Sequence, residues 1–480
     1  MQDISSLSDQ FKQIGLELNA KKCEMMYLNP AQSSPFPPVA LSTMLLGLKV
    51  LNPSNFTLLN SPIFEEAIPD SIRKIQDILN TLCQRLEHLD SHTAFFLLSH
   101  YTAAPRLNYL MRSAPTFKTE SILNEVDELI KSTTITVTNV PLNQPSWIQA
   151  SLPTKFGGLG LRRVSSLSIP CYASSLNSAQ ELMGEILPST IGKECQLDEA
   201  EAHLLTEYHQ AVIPSGEARS KQRAWDEAIC HQEFDELLSS ANQVDSARLL
   251  AAASPHTGAW VHALPLTEIG LHLDKESVRI GVALRVGAII CEPHRCTCGV
   301  LVNTLGHHGL ACTKSMGRLP RHSQLNDIVK RSLATAGIPS VLEPVGLDKR
   351  DGRRPDGITI FPFNGGKSLC WDATCVDTFC QSAIGETAHT PGAAANKAEK
   401  CKRDFYSDIS MQYIFEPLAV ETTGVLGKST SSFIAQLGRR VSGVTGDKRE
   451  TSWLHQRISI AVLRGNAASI QATGTLGPYT

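Results

Sequence analysis

The stretch CTCGVLVNTLGHHGLAC, from Cys296 to Cys312, restricts what this chain can fold into more than any other segment. Zinc takes four soft or borderline ligands in a tetrahedron, and a short loop that doubles back can supply them. Cys296 and Cys298 stand one residue apart, Gly299 supplies a turn, and His308-x3-Cys312 completes a set of four. The Cys-x-Cys spacing is tighter than the usual Cys-x2-Cys. We take Cys296, Cys298, His308 and Cys312 as ligands of a structural zinc ion. His307 competes with His308 for its place, and Cys291 and His294 are more distant rivals. The alternative is a buried cysteine pair beside unrelated histidines.

The rest of the composition sets bounds. A chain of 480 residues with 42% apolar side chains has room for two to four domains. Thirteen cysteines, an odd number and mostly scattered, do not form a disulfide framework. MQDISSLSDQFKQIG lacks the basic flank and apolar run of a signal peptide. The most apolar stretch, VRIGVALRVGAIIC, is broken by Arg279 and Arg285 and is too short to span a bilayer. We therefore expect an intracellular protein, nuclear or cytoplasmic, with no membrane partner. The net charge of -3 is unevenly spread: from Thr313 onward 21 Lys and Arg face 15 Asp and Glu, against 23 and 32 before it. A basic C-terminal part hints at an anionic partner.

Along the chain, a first helix leads to GLELNAKKCEMMYL, where Asn19 to Lys22 form a turn before a strand. A Pro- and Ser-rich link, NPAQSSPFPPVALS, follows. In SIRKIQDILNTLCQRLEHL, residues Ile72, Ile75, Ile78, Leu79, Leu82 and Leu86 make one helical stripe. ASLPTKFGGLGLRRV is a glycine-rich break, after which EAEAHLLTEYHQAV and AWDEAICHQEFDELLSSA read as helices. Beyond the cysteine cluster come a helix (HSQLNDIVKRSLATAGI), three strand-like segments, a helix around Asn396 to Ile409, the strand FEPLAVET and two closing helices. Strands mixed with covering helices suggest a compact α/β domain.

The strand-like segments carry acids. In GRRPDGITIFPFNGGKSLCWDATCVD, two strands flank a Gly-Gly loop, with Asp356 at the start of one and Asp372 in the other. Alternation turns Leu369, Trp371, Ala373 and Cys375 to one face and Asp372 and Thr374 to the other. A hairpin can bring Asp356 to Asp372, and two converging carboxylates suit a hard cation such as Mg²⁺. In TPGAAANKAEKCKRDFYSDI, Thr390 is placed to cap a helix with Pro391 at its first position. Its core stripe would be Ala394, Ala398, Cys401, Phe405 and Ile409. Lys402 and Tyr406 share the neighbouring face, while Lys397 and Lys400 point further out. The bland alternative is a pair of solvated strand-end acids and a surface lysine.

Pro355-Asp356, the hairpin, Asp372-x-Thr374 and a following helix with Lys402 and Tyr406 resemble the PD-(D/E)xK nuclease pattern. More narrowly they resemble the restriction-like endonuclease of non-LTR retrotransposons, in which the lysine has moved from strand to helix. The zinc knuckle upstream, RHSQLND with Arg321, His322 and Asn326, and the tails FEPLAVETTG and QRISIAVLRGNAASI are similar to that family's order of parts. IGLELNAKKCEMMYL resembles the end of a reverse transcriptase palm, and YLMRSAPTF with WIQASLPTKFGGLGLRRV its thumb and linker. Two departures stand out. No Tyr-x-Asp-Asp occurs, so polymerase activity is not expected. Thr374 stands where the simplest motif has lysine, which leaves Lys402, with Lys400 as rival, to act from the helix.

The resemblance implies a multidomain chain with a palm end over 1–30, a thumb-like helical region over 31–170 and a helical linker over 171–280. A zinc knuckle over 281–315 and a restriction-endonuclease-like α/β domain with a mixed sheet over 316–480 would follow. It implies Mg²⁺-dependent nicking of DNA, with Asp356 and Asp372 holding the metal, Lys402 at the water or phosphate and Tyr406 beside it. Arg321, His322, Arg353 and Arg354 would contact nucleic acid, and element RNA would be a further partner; Glu343 would either add a third carboxylate or simply end a helix. The alternative is a catalytically decayed nucleic-acid-binding remnant that keeps the zinc knuckle.

Overall fold

The protein is seen in a computed structural model that describes residues 2–26, 47–186, 195–315, 317–347 and 354–474. The link at 29–42 lies outside them. The turn at Asn19 to Lys22 is a 3-10 turn, Ala20–Lys22, leading into a strand, Glu24–Met25, that pairs in parallel with Lys49–Val50. The expected helices of the N-terminal half form at Ile68–Leu86, Cys195–Glu207 and Gln222–Ser239. In the first, Ile72, Leu79 and Leu86 are buried as the stripe requires. Ile78 is not: it lies one residue off the i, i+3, i+4 line and is 53% exposed, and Cys83 takes the core position instead.

The C-terminal part is an α/β unit. Its elements are α1 (Arg318–Thr335), β1 (Ser340–Leu342), β2 (Gly357–Thr359), β3 (Leu369–Val376), α2 (Ala393–Phe405), β4 (Ile414–Glu421), α3 (Lys428–Thr445) and α4 (Glu450–Gln471). The sheet order is β4-β3-β2-β1. β1, β2 and β3 pair antiparallel, whereas β3 and β4 run parallel. A parallel pair needs a long crossover, and the segment containing α2 supplies it. The alternation in β3 is as expected: Leu369, Trp371, Ala373 and Cys375 pack with α1, α3 and α4, and Cys370 packs with Tyr406 and Phe415 on the other face.

The start of α2 differs from expectation. Thr390 and Pro391 precede it, and the helix begins at Ala393 after Gly392, whose φ is 81°. Its first amides need an acceptor, and Glu421 at the end of β4 provides one, taking Ala394 N at 3.0 Å and Ala395 N at 3.3 Å. A local cap is therefore unnecessary. Ala394 is buried as expected, but Cys401 is exposed rather than in the core, because the buried face of α2 runs on through Ala395 and Glu399. The Glu399 carboxylate in turn accepts from Ser429 N and Thr430 N at 3.0 and 2.8 Å, at the start of α3.

Helix α4 is buried on several sides. Leu454, Ile458 and Val462 join the cluster over the sheet, whereas Ile460, Leu463, Ala467 and Ile470 join a larger cluster running back to Ile68. That larger cluster also holds Cys291, Cys296 and Cys312. Close approach needs glycine here: a Cβ on Gly465 would lie 2.5 Å from the Cβ of Arg321, and one on Gly309 would lie 2.8 Å from the Cα of Ile470.

Two buried histidines make this packing acid-sensitive. Burial holds His92 down to about 4, with His272 adding to it, and burial with His256 beside it holds His455 down to about 4. His92 Nδ1 accepts from Leu273 N at 3.0 Å, and His455 stacks on His256 at 3.6 Å. A depressed histidine binds its proton in the unfolded chain first, so its stabilising effect is full above 6.5 and is lost as pH falls from 6.5 towards 4. Urea titrations at pH 7 and 5 should show stability falling by on the order of 1–2 kcal/mol per histidine. His455→Gln should flatten the dependence.

Candidate functional site

Two groups of side chains stand out, and the first is the cysteine cluster. A strand pair, His294–Arg295 with Leu301–Val302, folds the loop back, and a short helix at His308–Ala311 presents its first residue to the thiols. The ligand atoms of Cys296, Cys298, His308 and Cys312 all lie within 4.8 Å of one another. Cys296 Sγ is 3.7 Å from Cys312 Sγ, close to the roughly 3.8 Å edge that a tetrahedral Zn–S distance of about 2.3 Å implies. Cys298 Sγ is 3.1 Å from His308 Nε2. Burial opposes ionisation of Cys296, but hydrogen bonds from the Cys298 amide and from the Cys298, His308 and Cys312 side chains bring it to about 6. The Cys312 thiol is pushed up by burial and by its neighbouring thiols. Four such donors could hold a zinc ion.

The competing ligands are engaged elsewhere. His307 stacks flat on Phe379, with ring centres 4.1 Å apart. Cys291 Sγ lies 3.3 Å from the Asn303 carbonyl oxygen, and His294 Nε2 lies 2.9 Å from Thr473 Oγ1.

The second group is the pair of acids. β2 and β3 are in register with Gly357 opposite Trp371, and Asp356 N donates to Trp371 O at 2.9 Å. Asp356 directly precedes the paired residues of β2, close enough to β3 for its negative charge to act on Asp372. Lys402 Nζ reaches Asp372 Oδ1 at 2.7 Å from α2, and Tyr406 at the end of that helix also hydrogen-bonds Asp372. Asp356 Oδ2 accepts from Ala373 N at 2.7 Å, and its Oδ1 lies 3.1 Å from His322 Nε2 on α1.

The two carboxylates are electrostatically unequal. Asp372 is pushed up, first by burial and then by the negative charge of Asp356, with Lys402 and Tyr406 pulling the other way. Asp356 is held below the usual carboxylate range: burial opposes this, but hydrogen bonds from His322, Ala373 N and Asn326 outweigh it. His322 is raised by its bond to Asp356, against burial. Neighbouring acids driven apart in this way are a common mark of a functional site.

Other expected residues take different places. Arg321 is not a surface contact: it is 2% exposed and donates to Asn466 Oδ1 at 2.6 Å, since α1 turns this face onto α4. His322, expected at nucleic acid, instead faces Asp356. Glu343 does not join the aspartates; its carboxylate pairs with Arg354. Arg353 lies outside the described residues. Lys400 is exposed on α2, away from the bond that Lys402 makes. Among the described residues, the cysteine cluster is the one group of three or more His, Cys, Asp or Glu side chains with converging ligand atoms. Asn326 stands in the sequence only as part of the family likeness; its place beside His322 and Asp356 was not foreseen, although the i, i+4 spacing from His322 points to a shared helix face.

The chain should bind one zinc ion, released together with the loss of cluster geometry in Cys298→Ala or Cys312→Ala. Metal analysis after dialysis should show each variant binding on the order of 10²-fold more weakly or worse. His307→Ala should keep the ion.

No helix among the described residues is long and apolar enough to cross a membrane. No family model matches the chain. The Retrotransposable element SLACS 132 kDa protein of Trypanosoma brucei gambiense is 23% identical to it over 394 residues, covering 78% of this chain. The match spans 28% of that protein's length. Over most of its length, the chain is thus similar to a retrotransposable-element protein.

Proposed function

We propose that this chain is a Mg²⁺-dependent DNA endonuclease of a retrotransposon-derived protein, cutting one strand at a time and lacking polymerase activity. The observation that carries the reading is that Asp356, at the entry to β2, lies near enough to Asp372 of β3 to raise it, with Lys402 on the second acid. The likeness to a retrotransposable-element protein supports the context.

The donor set suits a hard cation: both acids offer oxygen, and Asp372 is destabilised as an anion by burial and by Asp356. Asp356 and Asp372 would hold Mg²⁺, which when bound polarises a phosphodiester and lowers the pKa of a coordinated water. Lys402 would then turn its ammonium from Asp372 towards the attacking water or the phosphate, where charge builds up in the transition state. Tyr406 orients the lysine and the acid. Arg354 at the entry to β2 suits non-specific phosphate contacts, and Arg353 is its sequence neighbour. The zinc knuckle would grip DNA or element RNA without taking part in chemistry, since protein side chains fill its four ligand places.

The full chain, zinc-loaded, should nick supercoiled plasmid in Mg²⁺ and stop in EDTA. Asp356→Ala and Asp372→Ala should abolish nicking, and Lys402→Ala should slow it by about 10²-fold or more. A chain that binds zinc and shifts DNA in a gel but never nicks would be the decayed binding remnant.

A further inference from the structure

We infer that Asn326 is a positioning residue of the carboxylate site: held by the indole of Trp371, its amide fixes Asp356 in the orientation that receives the cation. This rests on the nuclease reading above.

The orientation of the amide follows from its partners. An indole N–H can only donate, and Trp371 Nε1 lies 2.9 Å from Asn326 Oδ1. With the oxygen turned to Trp371, the amide nitrogen must face the other way. There it lies 3.2 Å from His322 Nε2, which is itself 3.1 Å from Asp356 Oδ1, and so near Asp356 that it helps to hold that acid low. His322 and Asn326 are one turn apart on α1, so a single helix sends two side chains to one carboxylate. With Ala373 N on its Oδ2, Asp356 is held from three directions.

The simplest alternative is that Asn326 only satisfies a buried indole. Trp371 is fully buried and would leave a lone donor without it. Two features go beyond that. The amide nitrogen is turned to the place where His322 meets Asp356 rather than to a backbone carbonyl. Trp371 also lies directly across from Gly357, the residue after Asp356, and a Cβ on Gly357 would collide with the indole ring. The indole thus occupies a place cleared for it beside the acid, and Asn326 joins the two. Groups that orient metal-binding side chains are typically worth about 10–100-fold in metal affinity.

The test uses the full zinc-loaded chain with wild type, Asn326→Leu, Trp371→Phe and the double variant. Mn²⁺ binding is read by electron paramagnetic resonance, nicking is followed against Mg²⁺ concentration, and thermal midpoints are recorded. Asn326→Leu should weaken Mn²⁺ binding about 10-fold and raise the half-saturating Mg²⁺ concentration equally, with the rate at saturation within about twofold. Trp371→Phe keeps an aromatic side chain but loses the N–H, and should show a smaller shift in the same direction. The double variant should match Asn326→Leu alone, because the indole acts through the amide. A lowered thermal midpoint with unchanged Mn²⁺ binding and Mg²⁺ requirement in Asn326→Leu would overturn the inference, as would additive effects in the double variant. Should Asn326→Leu fail to fold, an unchanged Mg²⁺ requirement in Trp371→Phe overturns it. A wild type that neither binds Mn²⁺ nor nicks would instead overturn the nuclease reading itself.

Discussion

A helix that is apolar on more than one side has to be enclosed, and α4 imposes that requirement on this protein. Its Leu454, Ile458 and Val462 cover the sheet, while Ile460, Leu463 and Ile470 join the cluster that holds the helix at Lys275–Val286 and the cysteine loop. Neither set of neighbours alone could shield it. The glycines at 465 and 309 permit the short interhelix and loop distances, and Arg321 with Asn466 adds a buried polar tie between α1 and α4. Asn466 in turn donates to the Thr422 carbonyl at 2.6 Å, which links α4 to the end of β4.

The cysteine cluster belongs to this packing as well as to its own chemistry. Gly309 lies against Ile470 of α4, and His307 stacks on Phe379 in the loop after β3. Adjacent histidines therefore do separate jobs. His308 turns its Nε2 to the thiols, and His307 anchors the loop to the segment that follows the acid-bearing strand. A zinc ion in the cluster would stiffen a loop whose outer face is already committed to two neighbours.

The carboxylate site shows how a short strand pair can enforce an unfavourable meeting of like charges. The end of the β2–β3 ladder brings Asp356 near enough to raise Asp372, and each acid is offset by a different cationic or polar group. His322, Asn326 and Ala373 N serve Asp356; Lys402 and Tyr406 serve Asp372. The supports arrive from α1 on one side and α2 on the other. The two helices and the sheet must therefore all be in place before the acids can be held together.

Much of this was legible in the amino-acid order, because it depends on near neighbours. The period-two alternation of β3, the helical stripe at Ile72 to Leu86, and the converging Cys296, Cys298, His308 and Cys312 are all local in origin. So is the spacing of Lys402 and Tyr406. What the order could not disclose is which long-range partner each polar group would find. Arg321 reads as a surface cation but is drawn inside by Asn466, 145 residues away. Glu421 replaces Thr390 as the acceptor for the start of α2, and Glu343 turns to Arg354 instead of the aspartates. Asn326 meets Trp371 across 45 residues of chain. Hydrophobic periodicity determines which face of an element is buried, whereas the partner of a buried polar group depends on what the folded chain brings to that face.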